Sequence, residues 1–429
     1  SIHIMKNKIA VIGSGISGIS IASLLNEKAD VSVFERNAFI GGLVHCNRIA
    51  NVLYHRVGGH VFNSKNKEVL DWFWSKFDKE KEFIQAKRNA KIFYKKGFIG
   101  YPIENFLYQF QPETVEKVMS ELIEINQGVY KDPLSYDNFE IFLKGNFGVT
   151  LYELYFKPYN HKIWKTDLST VSMEWLEGKL PMPKLLEIIT SNIKREEEAG
   201  MVHSSFYYPK TGGSQFIADR IAEGLNVLCN SSVQKISVKD GGIHIDGNIF
   251  NQLIYTGDVR KLPSLLDLPN DNVFEFQEEI KQLRSNGTSS VLCQCDSNDL
   301  SWLYIPESTF KAHRIIYTGN FSPTNNPSEF KSAERSTCTV EFSGICTYEE
   351  MKAELKSLPG NLKPIDFNNE PNSYVIQDKE TRKIIRAYKD FLAPYGIYLL
   401  GRFAEWEYYN MDKAMEAAFE LKRKISPTP

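Results

Sequence analysis

The chain is sparing with cysteine, and the cysteines it has are not arranged for chemistry. Cys46, Cys229, Cys293, Cys295, Cys338 and Cys346 are scattered through 429 residues, without a CxxC pair or zinc spacing. That pattern excludes a zinc module or a disulfide framework and leaves reduced structural thiols of a cytosolic protein as the expectation. Cys293 and Cys295, two apart, would share one face of a strand. No apolar run reaches the roughly 18 residues needed to span a bilayer, so no membrane span is expected. Positive charge is not in surplus: 51 Lys and Arg stand against 53 Asp and Glu, a net charge of −2. This argues against a nucleic-acid partner but leaves room for a local basic pocket facing a phosphorylated substrate. A nucleophile elbow, a metal-ligand cluster, an internal repeat and a low-complexity linker are also missing. Residues 1–5 read as an expression remnant ahead of a second start-like Met5, with no secretory signal expected.

What is present is ordinary globular material, 42% hydrophobic and 24% charged. It is enough for two or three domains at roughly 100–200 residues each. Residues 8–13 read as a buried strand, 18–26 as a helix with Ile19, Ala22 and Leu25 at helical spacing, and 31–35 as a second strand. This is a βαβ unit, which predicts a parallel sheet. Residues 102–199 read as largely helical. Their last stretch, 185–199, is amphipathic, and its run Lys194-Arg-Glu-Glu-Glu-Ala199 reads as a solvated helix face. Residues 206–221 read as a loop followed by a helix. A hairpin is expected around Asp240-Gly-Gly242 within 233–249, and a strand at 253–257. β-rich stretches follow at 290–295, 301–305, 315–317 and 337–342. Residues 359–371 look like a loop, 396–401 like a last strand and 411–424 like a last helix. The predicted class is α/β: a Rossmann-like FAD-binding domain with an inserted helical domain and an inserted antiparallel β-sheet domain. The expected division is 6–100, 205–275 and 375–425 for the discontinuous FAD-binding domain, 101–204 for the helical substrate domain and 276–374 for the β-sheet substrate domain.

Gly13-Ser-Gly-Ile-Ser-Gly18 is a GxGxxG directly after a strand and opening a helix. Gly13 permits the tight turn, Gly15 lets the backbone approach a pyrophosphate, and Gly18 lets helix and strand pack closely. The helix N-terminus then turns free N–H groups toward the phosphates. Glu35, ending the second strand, is placed to accept from ribose hydroxyls, which favours an unphosphorylated ribose.

Glu35-Arg36 followed by Gly41-Gly42, and Gly401-Arg402 before the last helix, resemble flavoproteins of the amine-oxidase-like superfamily and favour FAD over NAD. Further segments resemble the UDP-galactopyranose mutases, particularly their eukaryotic-type branch. They are Gly58-Gly-His-Val-Phe62, Tyr101-Pro-Ile-Glu-Asn105, Pro158-Tyr-Asn-His-Lys-Ile-Trp164 with Glu174-Trp-Leu176, Trp302-Leu-Tyr-Ile-Pro-Glu307 with Arg314 and Asn320-Phe-Ser-Pro323, and Gly401-Arg-Phe-Ala-Glu-Trp-Glu-Tyr408. They run in family order from Ile9 to about Met415.

The resemblance implies an isomerase. Reduced flavin N5 attacks the anomeric carbon of a nucleotide-linked pyranose, the nucleotide diphosphate leaves, and the sugar opens and recloses as a furanose without net redox change. It places Ser17, Leu43, Gly59, Val233 and Met411 beside the glycines, Glu35, Arg36 and Arg402 at the cofactor. His60 would contact the flavin and respond to its redox state. Arg314 is the expected diphosphate ligand, a planar cationic fork matched to phosphate oxygens. Tyr374 and Tyr408 would bind phosphate. Trp164, Tyr304 and Asn160 would hold sugar or uridine, Tyr101 would stack near the base, and Arg402 would bond sugar or flavin. NAD(P)H is a candidate reductant, and a homo-oligomer a candidate assembly.

Four positions depart from the family pattern. Glu104 replaces a Gln, putting an acceptor-only carboxylate near the base. Lys179 replaces an Arg, His203 an Asn and Tyr155 a Phe, and residues 409–415 are two shorter than the eukaryotic-type pattern. The departures fall on the substrate side. Either the substrate has changed, to an N-acetylated or deoxy sugar or to another nucleotide, or they are drift around UDP-galactose. An FAD-dependent oxidoreductase of the amine oxidase or desaturase-like superfamily is the alternative function, and a catalytically silent flavoprotein the third.

Overall fold

The computed structural model describes residues 6–126, 131–176, 184–198 and 205–425. Its centre is a five-stranded sheet. The strand Asn7–Ile12 lies between Ala29–Phe34 and Gln252–Tyr255, and the outer positions go to Asn226–Leu228 and Ile397–Leu399; every pairing is parallel. Ile9, Ala10 and Val11 are all essentially inaccessible, as expected of a parallel strand covered on both faces. The helix Ile16–Leu25 packs beside the C-terminal helix Met411–Ile425, sharing a core with Ile9, Val11, Ile254 and Leu400. One layered unit is thus assembled from the beginning, middle and end of the chain. The hairpin appears as Ile236–Lys239 and Gly242–Ile245, joined by Asp240 and Gly241 at φ 52° and 73°. Both are left-handed, the geometry of a type I′ turn.

The described part of 102–199 is mainly helical: Pro112–Ile125, Phe139–Leu151, Lys157–Trp164 and Leu185–Lys194. Asn138 caps the second helix by accepting from the Ile141 N–H. A π-helical turn, Tyr152–Phe156, joins the second helix to the third. The described part of the charged run, 194–198, corrects the reading of a solvated helix face. The helix stops at Lys194 because Arg195 turns left-handed at φ 52°. Glu198 then points inward, 6% exposed, accepting from the Ala90 N–H at 2.7 Å and facing Arg88 at 3.5 Å. A strand-end amide and a partly buried guanidinium both need an acceptor there.

The third layer is a seven-stranded sheet. Its order is Lys363–Val375, Ser285–Asp296, Arg335–Ser343, Ala312–Ile316, Trp302–Tyr304, Ala90–Tyr94 and Gly97–Gly100. All pairs are antiparallel except Trp302–Tyr304 with Ala90–Tyr94. Residues 359–371 are therefore not a loop: a 13-residue strand begins at Lys363. It is an edge strand, where Pro364 and Pro371 need no inward ladder donor. Residues 205–209 also correct the loop reading. Ser205–Pro209 pairs with Phe83–Lys87, burying Phe206 and Tyr208 in alternation with Ser205 and Tyr207. Cys293 stands opposite Cys338 in the ladder, and all six cysteines are free. Among the described residues no helix is long and apolar enough to cross a membrane.

Candidate functional site

The glycine loop has the geometry its sequence predicts. Gly13 takes φ 105°, and its N–H reaches the Phe34 carbonyl at 2.8 Å. A Cβ on Gly18 would lie 1.9 Å from the Gly13 carbonyl oxygen, so only glycine permits this approach of helix to strand. Gly15 opens the helix Ile16–Leu25 without a side-chain cap, and the first turn holds no acidic residue. Its N–H groups and dipole are thus available to an anion. Gly41 bridges to Gly15 and donates to the Ser14 carbonyl, bringing Gly42 and Leu43 over the loop. Gly401 presses against Ser17, where a Cβ would meet Oγ at 2.8 Å. Met411, buried, starts the last helix and packs with Ile16 and Val44. Arg36 is exposed at the rim, and Val233 is partly buried against the sheet core beyond it.

Glu35 does more than await a ribose. Its Oε1 accepts from the Ser14 N–H and hydroxyl at 3.2 and 2.6 Å, and Oε2 from the Asn37 N–H at 2.8 Å. With one donor on Oε2, a lone pair remains for a hydroxyl. An uncapped helix end, a glycine surface too close for any Cβ, and a buried acid at the second strand together fit a dinucleotide.

The loop Gly58–His60 joins this cradle to the third layer. The His60 Nε2–H points between the carbonyls of Val57 at 2.7 Å and Leu43 at 3.1 Å. Burial, then the charges of Arg402 and Arg314, bring the His60 pKa down to about 4, so the ring is neutral at physiological pH. Gly59 packs on Ile316, and a Cβ on Gly58 would lie 3.5 Å from both His60 Nε2 and Arg314 Nη2.

From that junction a wall of aromatic rings runs across the helical layer and the sheet. Tyr374 and Tyr408 stack at 5.8 Å, and Trp164 meets both edge-on. The Arg402 guanidinium lies 4.7 Å over the Tyr408 ring while bonding the carbonyls of Ser373 and Tyr409. Tyr155 stacks on Tyr159 at 5.6 Å, Tyr159 meets Tyr304 edge-on, and Tyr304 lies 4.8 Å from Tyr101. Arg88 closes the far end, 4.7 Å over Tyr101. The π-helical turn aims this wall. Tyr155 sits inside it and Tyr159 one turn later, so both rings share one face.

Of the predicted substrate residues, the fold thus collects Tyr101, Tyr155, Trp164, Tyr304, Arg314, Tyr374 and Tyr408 along one surface. Asn160 lies on the same helix, but its Nδ2 is spent on the Phe156 carbonyl at 2.7 Å, leaving the side-chain oxygen. Trp164 is 4% exposed, and its indole N–H has no partner among the described residues. Lys179 and His203 lie outside the described residues. Glu104 requires a correction. Burial pushes its pKa up to about 7, so it is not simply an acceptor-only carboxylate. In its neutral form it offers one donor and one acceptor, as the expected glutamine would. Sequence reasoning missed Tyr159, Arg88, His313 and Glu341. Tyr159 stood inside the Pro158–Trp164 motif beside Asn160, whereas the others carry no local signal.

Comparison with known proteins agrees with this layout. Residues 11–77 match the model of the NAD(P)-binding Rossmann-like domain family. The chain is 21% identical to UDP-galactopyranose mutase of Mycoplasma genitalium, over 99% of this chain and 96% of that protein. It is 26% identical to dTDP-fucopyranose mutase of Escherichia coli, over 37% of this chain and 42% of that one. A crystal structure of reduced UDP-galactopyranose mutase superposes with a TM-score of 0.85 at 20% identity, covering 99% of this chain and 95% of the other. In fold, and at low identity along nearly its whole length, the chain is similar to UDP-galactopyranose mutases.

Proposed function

We propose that the protein is a flavin-dependent nucleotide-sugar mutase, an isomerase interconverting pyranose and furanose forms of UDP-galactose or a related sugar with reduced FAD. One observation carries the reading: a dinucleotide cradle and a wall bearing Arg314, Tyr374 and Tyr408 meet at the Gly58–His60 loop. When bound and reduced, FAD supplies a nucleophilic nitrogen for the anomeric carbon. The cofactor set is Gly13, Gly15, Ser17, Gly18, Glu35, Arg36, Gly41, Gly42, Leu43, Gly59, His60, Val233, Gly401, Arg402 and Met411. Arg314 takes the charge that develops on the departing diphosphate, and the phenols of Tyr374 and Tyr408 add hydrogen bonds without adding charge. Trp164, Tyr304 and Asn160 hold the sugar side, and Tyr101, Glu104 and Tyr155 the base side; Lys179 and His203 join them on sequence grounds. Neutral His60 holds its loop through Nε2 and adds no positive charge between Arg314 and Arg402.

The three-part domain division is proposed with one change: Ala90–Tyr94 and Gly97–Gly100, expected in the FAD-binding domain, go with the β-sheet domain because they pair in the seven-stranded sheet. NAD(P)H as reductant and a cytoplasmic setting complete the proposal. The partial likeness to a dTDP-fucopyranose mutase supports keeping a deoxy sugar or a thymidine nucleotide among the candidate substrates. An amine or lipid oxidase would have no use for these phosphate donors. The test is to reduce the bound flavin anaerobically and offer UDP-galactofuranose, UDP-galactopyranose and dTDP-fucopyranose. Interconversion without stoichiometric loss of reductant is expected. Consumption of reductant or oxygen at each turnover would overturn the proposal.

A further inference from the structure

Arg314 does not stand alone. In the antiparallel pairing of Ala312–Ile316 with Arg335–Ser343 it faces Glu341. A single carboxylate oxygen, Glu341 Oε1, accepts from Arg314 Nε–H at 2.9 Å and from His313 Nε2–H at 2.8 Å. Glu341 is 1% exposed and His313 is fully buried. Glu341 Oε2 and His313 Nδ1 are buried without a hydrogen-bond partner among the described residues. The imidazole is fixed by the edges of Tyr159 and Tyr374, with ring centres 6.4 and 6.3 Å away.

A buried ion pair with an orphan oxygen is a poor device for stability, because desolvation offsets the Coulombic gain. It is a good device for aiming. Using Nε alone fixes the plane of the guanidinium and leaves its two Nη groups for another anion, with Nη2 directed toward the Gly58–His60 loop. The carboxylate also offsets the arginine's charge. A group that must capture a diphosphate and give it back gains nothing from holding it too tightly.

We propose that Glu341, oriented by His313, is a positioning residue that aims Arg314 and limits how tightly it holds a diphosphate, an inference that rests on the nucleotide-sugar reading above. Two substitutions separate aim from charge. Glu341→Gln keeps the volume and an acceptor oxygen but removes the negative charge, whereas Glu341→Ala removes both. Calorimetric titration of the FAD holoenzyme with UDP, and with inorganic pyrophosphate, is expected to show about tenfold tighter binding for Glu341→Gln and weaker binding for Glu341→Ala. The gain should shrink as salt rises. Flavin content and a cooperative melt report folding for each variant. Should Glu341→Ala fail to fold, His313→Gln, which frees the carboxylate to turn, takes its place with the same expected weakening. A purely structural role would not move the two variants in opposite directions. Unchanged or weakened binding by folded Glu341→Gln, with the wild type binding normally, overturns this proposal alone. A wild-type holoenzyme that binds neither probe overturns the nucleotide-sugar reading and this inference with it.

Discussion

The cradle between Gly13 and Gly18 presents backbone to its proposed ligand, and the wall from Tyr408 to Tyr101 presents side chains. The cradle is mostly local: two strands, one helix and the Gly41–Gly42 loop fall within the first 42 residues, and Thr256 and Gly401 pack on it from afar. The wall draws Tyr101, Tyr159, Tyr304, Arg314, Tyr374 and Tyr408 from the helical layer, the seven-stranded sheet and the C-terminal segment. Main-chain recognition tolerates little change: a Cβ on Gly18 would collide with the Gly13 carbonyl, and those on Gly13 and Gly401 with the side chains of Thr256 and Ser17. Side-chain recognition can be rewritten one residue at a time. That contrast fits a glycine motif that is whole while Tyr155, in the wall, and Glu104, proposed beside it, depart from the family pattern.

The sharpest way to break the contrast is Gly18→Ala. Its new Cβ would sit 1.9 Å from a carbonyl oxygen that cannot move without unseating the strand. The expected outcome is a protein that purifies without flavin and loses about 1–3 kcal/mol of stability. Flavin-to-protein absorbance and a thermal melt read both, and a fully yellow, wild-type-like protein would sink the account of the cradle. A wall substitution should behave differently. Arg314→Ala is expected to retain flavin but lose about 10²–10³ in turnover. It also strands Glu341 with His313 as its remaining partner, so the melt should fall. Arg314→Lys should restore the melt but not the turnover, since an ammonium keeps the charge and loses the fork. Smaller still is Tyr408→Phe, which keeps the stack on Tyr374 and removes one donor. A hydrogen bond to a charged group is worth about 1.5–3 kcal/mol, so UDP affinity should fall roughly ten- to a hundredfold with flavin content unchanged.

The same contrast governs what could be read from the sequence. The cradle was legible because spacing dictates its geometry: a glycine after a strand and before a helix has few other uses. The parallel sheet and the last helix followed from local periodicity. The edge strand Lys363–Val375 was not legible, because Pro364 and Pro371 mark a turn unless it is known that nothing pairs on their outer side. Ser205–Pro209 was hidden by aromatics at every position from Phe206 to Tyr208, which mask the alternation. Individual members of the wall could be picked out by resemblance, but not their sequence of contacts. The Glu341–His313–Arg314 cluster depends on strand register, a non-local property that no single segment encodes.

Glu104 gives the finest test of the wall, since it asks whether a side chain can change its hydrogen-bonding character in place. Burial raises its pKa from 4.5 to about 7. The folded protein therefore binds a proton that the unfolded chain releases at lower pH. Between roughly pH 4.5 and 7 the native state holds more protons than the unfolded state, so this group's contribution to stability falls as pH rises, then levels off. Glu104→Gln carries no such proton. The difference in melting temperature, variant minus wild type, should therefore widen from pH 4.5 to 7 and stay constant above it. If Glu104 faces the base as proposed, UDP affinity of the two proteins should agree at pH 6, where both present a donor and an acceptor, and diverge at pH 8, where the wild type has lost its donor. A melting difference that does not change with pH would mean that Glu104 is ionised throughout, and that the base-side end of the wall is an acceptor after all.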